Sequence, residues 1–214
     1  MTHALIWLRR DLRLADNPSL AAALEREQPV IPVYVHSPED EGEWAPGGAQ
    51  RWWLHESLAA LSRSLEECGS RLIIRHGPAA EVIPDLAADA GADAVHWNRL
   101  YEPALIERDT RLKASLAEEG ISAESHNAAL LAEPWTIETA SGGPYKVFTP
   151  YWRSFQKSVR PEPPRTAPAS IPAPGAWPAG QSLDTLGLKP RRDWIGGLAD
   201  AWTCLLYTSD AADE

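Results

Sequence analysis

Residues 9–17, "RRDLRLADN", set three arginines, two aspartates and an asparagine directly after the apolar run "ALIWL". Such a knot of opposite charges at the end of a buried segment asks what sits above it. The plainer reading is a strand tip where Asp11 pairs with neighbouring arginines. Other polar residues stand at comparable places. His36 and Ser37 follow "VIPVYV", Arg51 lies in the segment beyond, and Asn98, Arg99, Leu100 and Tyr101 follow "AVHW". If these apolar runs are parallel strands, such residues mark their carboxyl ends, where open α/β sheets bind ligands. His36, Ser37, Asn98, Arg99, Leu100 and Tyr101 stand at such ends, with Arg51 in the segment after the second.

Several other chemistries lack their residues. No glycine follows the first apolar run, so the backbone has no G-x-G-x-x-G approach to a pyrophosphate. The P-loop spacing is missing, and "SGGPYK" (141–146) does not supply it. There is no G-x-S-x-G elbow for a nucleophilic serine. The six histidines are scattered rather than set at ligand spacing, so no metal site is expected and no catalytic residue is assigned. His55 and His96 read as packing or surface residues. Cys68 and Cys204 form neither a zinc pattern nor a disulfide framework, and Cys68 reads as a small buried hydrophobe.

The elements that must position these residues are legible in the pattern. Apolar runs at 4–8, 30–35, 71–75 and 94–97 read as buried strands, and "ISAESH" (121–126) as a weaker fifth. Helical stretches alternate with them. Asn17 caps the first, with Pro18 at the opening helical position. The second, 48–69, sets Trp53, Leu54, Leu58, Leu61 and Leu65 on one face and stops at Gly69. The third, 78–91, is interrupted by Pro84, and the fourth, 104–120, again ends at glycine. This alternation predicts an α/β fold: a Rossmann-like five-stranded parallel sheet with helices on both faces, over residues 1–133. Beyond it, 134–203 reads as a connector with one short helix near 157 and the proline-rich stretch "RPEPPRTAPASIPAPGAWPAG" (160–180), extended and unable to sustain helix or sheet.

Bulk properties narrow the partners. The 214 residues carry a formal charge of −10, with 30 acidic against 20 basic side chains. Nucleic-acid affinity comes largely from phosphate neutralisation, so this chain is not expected to grip DNA by itself. The five apolar residues before the first arginines are too few for a signal-peptide core, and no run approaches a membrane span. The expected compartment is the cytoplasm, with no membrane partner.

Four segments in order carry a resemblance. Arg9, Asp11, Leu12, Arg13, Asp16 and Asn17 fit R-x-D-L-R-x-x-D-N, followed by "RWWLHESLAAL" (51–61), "HWNRLYEP" (96–103) and "GGPYKVFTPYWRSF" (142–155). Together they resemble the first part of the DNA photolyases and cryptochromes. That resemblance implies a Rossmann-like antenna domain, then a long connector, then a helical domain holding FAD. In such proteins light excites reduced flavin, which donates an electron and splits a pyrimidine dimer in damaged DNA, a carbon–carbon lyase reaction. The helical FAD domain is the implied partner and lies outside this sequence; FAD and damaged DNA belong to the full-length parent, and the fragment alone is expected to be inactive.

The resemblance also makes His36, Ser37, Arg51, Asn98, Arg99, Leu100 and Tyr101 the candidate cofactor-binding set. Arg51 and the loop after the fourth strand would contact an antenna chromophore of folate or deazaflavin type, with His36 and Asn98 bonding the ring. Arg51 reads equally as a helix-surface salt bridge, and Glu102 as a salt-bridge partner. The sequence departs from both antenna patterns: Leu100 replaces an acidic residue of the deazaflavin type, and Ala104 and Leu105 replace an Asn-Glu pair of the folate type. The charged stretch is expected to organise the junction between the two domains. Trp97, Trp135 and Trp152 read as core or domain-interface packing, not as an electron relay. Residues 204–214, "CLLYTSDAADE", resemble a foreign, adapter-derived tail. Competing functions are a cryptochrome-type photoreceptor fragment and a stand-alone nucleotide- or flavoprotein-subunit-like domain.

Overall fold

The computed structural model describes residues 2–192 and 194–198. Its centre is one sheet of five parallel strands: β1 (His3–Leu8), β2 (Val30–His36), β3 (Ile73–His76), β4 (Ala92–Asn98) and β5 (Ser122–His126), ordered β3-β2-β1-β4-β5. The helices between them are α1 (Pro18–Glu25), α2 (Gly48–Glu67), α3 (Ala79–Ala90) and α4 (Pro103–Glu118), with α5 (Phe148–Ser158) after the sheet. The fold expected from the alternating pattern is the one observed. The suggested foreign tail, including Cys204, lies outside the described residues.

The apolar runs are continuous because both faces of the sheet are covered. Ala4, Ile6 and Leu8 of β1 pack with Leu20 and Ala23 of α1 and with Leu61 and Leu65 of α2. On the other face, Leu5 and Trp7 join Val33, Val95 and Trp97 beneath Ile83 and Leu86 of α3 and Leu112 and Leu116 of α4. β1 sits centrally, pairing Leu5 with Ile31 on one side and Val95 on the other. Burying side chains of this size stabilises the domain by about 1.5–3 kcal/mol each.

Local signals act as read at most element ends. Asn17 caps α1, its side chain accepting from the Leu20 N–H, and Pro18 occupies the first turn. Gly69 ends α2 in the left-handed region at φ 76°, where a side chain would be strained. Two details differ. The buried face of α2 includes Trp52 and His55, while Trp53 turns outward. α3 runs unbroken through Pro84, whose buried ring forgoes one backbone donor without ending the helix.

The proline-rich stretch is extended, as read, but it lies along the domain. The Asp16 N–H donates to Arg165 O (2.8 Å), Val30 N–H to Pro172 O (2.8 Å), and Ile171 N–H to Cys68 O (2.9 Å). Ile171 is buried against the α1–α2 face, and Trp177 packs on the opposite core with the Arg71 guanidinium over its ring. Further on, Gln181 N–H donates to Ile74 O (2.9 Å), capping the outer edge of β3, and Leu188 is buried beside Leu58 and Tyr34. A strand edge left bare invites pairing with another chain, and this segment covers one. Among the described residues no helix is long and apolar enough to cross a membrane.

Docking of this kind makes the stretch part of the fold's stability. Ile171→Ala is expected to cost about 2–5 kcal/mol, read as a lower urea midpoint. A free linker would leave the midpoint unchanged.

Candidate functional site

The strand order reverses at β1, which sends the chain to β2 on one side and receives β4 on the other. Arg9 leaves β1 at that point with a side chain only 5% exposed. One of its terminal nitrogens donates to Asp109 Oδ2 at 2.7 Å, and the other to the Asn98 carbonyl. Asp109 Oδ1 also accepts from Arg108 Nε (3.0 Å) and a terminal nitrogen (2.7 Å), and Arg108 reaches Asp40 at 3.3 Å. Both guanidinium carbons lie over the Trp7 ring, at 4.7 and 4.8 Å. Burial pulls the Arg9 pKa down and Asp109 pulls it back up; guanidinium remains charged in proteins. The neighbouring carboxylate and carbonyl take the place of water at its two terminal nitrogens, while the buried Nε has no hydrogen-bond partner among the described residues.

Asp11 corrects the plain reading. Among the described residues it makes no salt bridge with an arginine side chain; its carboxylate accepts from the Arg9 N–H (2.9 Å) and from the Asn98 amide. Asn98 also donates to Asn17 Oδ1 (2.8 Å) and accepts from the Ser19 N–H (3.1 Å). The charged stretch therefore ties β1, β4 and the start of α1 together inside one domain. Arg10 faces outward to Glu102 and Glu41, which bears out the salt-bridge reading of Glu102. Arg13 donates to the carbonyls of Asp16 (3.0 Å) and Ala128 (3.1 Å).

Beside this network opens a cavity of about 1880 Å³, reaching from the ends of β1 and β2 to α2. Its walls include Tyr34, Trp52, Trp53 and Leu54, and its polar groups Arg10, Glu41 and Arg108. The seven sequence-predicted residues separate here. His36, Ser37 and Leu100 line the cavity. Asn98 is buried in the network beneath it. Arg99 and Tyr101 turn away and converge on Glu133 Oε1 at 2.6 and 2.8 Å. Arg51 is exposed on α2 and has no ion-pair partner among the described residues. Burial, with His76 and Arg51 adding to it against Glu39, holds the His36 imidazole below its ordinary pKa. Burial and the hydrogen bond to Glu133 push the Tyr101 hydroxyl up.

Sequence reasoning missed Trp52, Asp40, Arg108 and Asp109 as contributors. The adjacent Trp52–Trp53 pair was a visible signal; Arg108–Asp109 sits mid-helix and carries none. It also missed a cluster on the α1 side of the sheet. Register pairs His96 with Glu124 and Asn98 with His126, so the two histidines and the glutamate share one face. Their nearest ligand atoms all lie within 4.8 Å of one another. Alternation in "ESH" could have placed Glu124 and His126 together, but only the sheet order brings His96 beside them.

A parallel sheet covered on both faces, with an aromatic-walled cavity at its switch point, is a Rossmann-like α/β domain. Comparison with known proteins makes this specific: the DNA photolyase family model matches residues 4–171, and the chain belongs to that family. It is 44% identical over 200 residues to a deoxyribodipyrimidine photo-lyase of Agrobacterium fabrum, covering 93% of this chain and 41% of that protein. It is 41% identical over 191 residues to cryptochrome-2 of Arabidopsis thaliana, covering 86% of this chain and 31% of that one. A solved class III photolyase from Agrobacterium tumefaciens superposes with a TM-score of 0.86 at 44% identity, over 94% of this chain and 42% of that chain. A photolyase from Sulfolobus tokodaii, solved with two FAD molecules that implicate a novel light-harvesting cofactor, gives 0.71 at 26% identity, over 88% and 42%. The chain thus spans about two fifths of these photolyases' length.

Two outcomes follow from the network and its surroundings. Asp11→Ala should destabilise by about 1–3 kcal/mol, the range for a charged hydrogen bond, while Asp109→Ala should cost about 3–5 kcal/mol by leaving Arg9 buried and unpaired; urea denaturation measures both. Burial is the leading cause holding His36, His55, His96 and His126 below the ordinary value. These imidazoles stay neutral in the fold while the unfolded chain takes up protons, so acid favours unfolding. Melting temperature should be level above about pH 6.5 and fall below it; a flat profile down to about pH 5 would contradict this assignment.

Proposed function

We propose that this chain is the antenna-binding part of a light-driven DNA-repair protein, a deoxyribodipyrimidine photo-lyase. The observation that carries the reading is the cavity at the strand ends, with indole walls and a few convergent polar groups. Trp52 and Trp53 meet edge-to-face at 6.2 Å, and Trp194 approaches Trp52 at 6.5 Å. Flat aromatic walls beside Arg10, His36 and Glu41 suit a planar heteroaromatic ring that carries hydrogen-bonding edges. The residues present therefore fit a folate or deazaflavin, and the light-harvesting cofactor of the Sulfolobus tokodaii photolyase supports the class. When bound, such a group absorbs light and passes excitation onward. The chain's own part is to hold it: Trp52 and Trp53 stack and exclude water, His36 and Ser37 bond the ring, and Arg10 faces an anionic substituent.

The remaining partners are proposed on similar grounds. Helix α5 has no buried residue, and Phe148, Trp152 and Phe155 stack along it at 6.0 and 5.3 Å, with Phe148 70% exposed. A bare aromatic ridge marks an interaction surface, and we assign it to the FAD-holding helical domain of the family. FAD and damaged DNA then belong to that domain, which suits the charge of −10 here. The assigned compartment is the cytoplasm. The comparable identity to cryptochrome-2 supports a photoreceptor as the second reading, and dimer repair by the full-length protein separates the two.

Titration of the purified chain with a reduced folate and with a 5-deazaflavin tests the reading. One equivalent of either should bind with tryptophan quenching, and Trp53→Ala should weaken it about tenfold, the loss of one stacking partner. Failure of both ligands to bind the folded chain would overturn the antenna assignment.

A further inference from the structure

We propose that His96, Glu124 and His126 form a zinc site that clamps the edge strand β5 to β4. The site is independent of the light-harvesting role and lies on the sheet face toward α1. His96 Nδ1 stands 3.4 Å from His126 Nε2 and 3.8 Å from Glu124 Oε2. Zinc bonds of about 2.0–2.1 Å in a tetrahedron put ligand atoms about 3.3 Å apart. Both His96 distances are close to that, while the three ligand atoms as a set lie within 4.8 Å of one another and draw together as the accessible Glu124 and His126 side chains turn. Two imidazoles and one carboxylate leave a fourth position for water, and this N/O set suits zinc over calcium or magnesium.

The burial of His96 argues in the same direction. Its side chain is 1% exposed; among the described residues Nε2 has no hydrogen-bond partner, and Nδ1 faces His126 and Glu124. A buried polar ring with so little satisfaction is costly unless the one nitrogen aimed into the cluster makes a strong bond. An N–H···N bond between the two histidines is the ordinary alternative, and it leaves Glu124 Oε2 facing His96 while Oε1 accepts from the Ser122 hydroxyl (3.3 Å). Among the described residues Glu124 has no lysine or arginine partner, although its side chain is 45% exposed. The nearby cations are largely engaged: Arg26 pairs with Asp93 (3.1 Å), Arg99 with Glu133 (2.6 Å), and Lys113 donates to Ser125 Oγ (2.7 Å). Glu25 adds a negative charge toward His126. The rings lie nearly parallel, 21° apart with centroids at 5.7 Å, so the half-buried His126 turns about its side-chain torsions to aim Nε2 at the ion.

Such a clamp has a physical use. β5 is the polar, half-exposed edge strand of the sheet, and its one strand neighbour among the described residues is β4. A metal bridging His96 to Glu124 and His126 cross-links the pair from the side-chain face.

The test uses the untagged chain, stripped with a chelator and titrated with Zn²⁺ alone against a competing chromogenic chelator. Co²⁺ serves as a spectroscopic probe of four-coordination. One equivalent of zinc should bind, raise the melting temperature by several degrees and slow amide exchange across β5. His126→Ala and Glu124→Gln, at accessible positions, should fold without zinc yet lose affinity about 100-fold, more than the loss of an outer-shell partner. His76→Ala, which alters the separate His36–His76 contact, should bind as before. Absence of one-equivalent binding to the folded chain at micromolar zinc overturns the proposal. So does binding that the His126 and Glu124 variants leave intact, or that His76→Ala removes.

Discussion

A guanidinium buried at the end of the central strand constrains everything around it. Arg9 lacks enough water to solvate its charge, so the fold must bring partners to it. Desolvating such an ion costs several kcal/mol unless its bonds are replaced. Asp109 arrives from α4 and the Asn98 carbonyl from β4, both distant in sequence, and Trp7 offers its ring beneath. Satisfying this one group fixes where β4 ends, how α4 lies on the sheet and which way the chain leaves β1. The next turn then follows. Asp11 holds Asn98, Asn98 meets Asn17, and Asn17 starts α1. The floor of the cavity is this network seen from above.

The same network shows what a sequence can and does not reveal. Strands were legible because burial on both faces leaves unbroken apolar runs, and α1 because Asn17–Pro18 is a local signal with a local cause. Side-chain direction is not local. Arg99 and Tyr101 stand at a strand end, as the pocket residues must, yet Glu133 draws both away from the cavity. Trp52 and Trp53 are adjacent on a helix, and a 100° turn decides which is buried. Asp11 sits among arginines in sequence, but its nearest donors in space are an amide and a backbone N–H. Resemblance to a family located the site; only packing could sort its residues.

The proline-rich stretch makes the complementary point. Its composition excludes helix and sheet, since proline lacks the N–H that either ladder needs. Nothing in that argument says where an extended chain lies. Proline carbonyls remain good acceptors, and Pro172 O takes the Val30 N–H that opens β2. Isolated apolar residues, Ile171, Trp177 and Leu188, provide anchors at wide spacing. A sequence can thus be unable to form regular structure and still be bound to the surface of it. The ordering entropy is offset by burial at those few anchors.

The two edges of the sheet are protected by different means. β3 is covered on its outer side by the backbone at Gln181, so its apolar residues face no solvent along that edge. On the inner side of β5 the β4–β5 ladder runs one step further, where the Arg99 N–H just past β4 donates to His126 O. The protection of β5 lies in its side chains. Glu124 and His126 replace the apolar residues that an inward-facing strand would carry, and charge on an edge strand discourages pairing with another chain. That choice weakens the packing of β5 against α1, because a carboxylate and an imidazole bury poorly beside His96. The polar cluster is therefore a consequence of keeping an open edge soluble, and any bond gathered there, to a proton or to a metal, acts directly on the least anchored strand of the sheet.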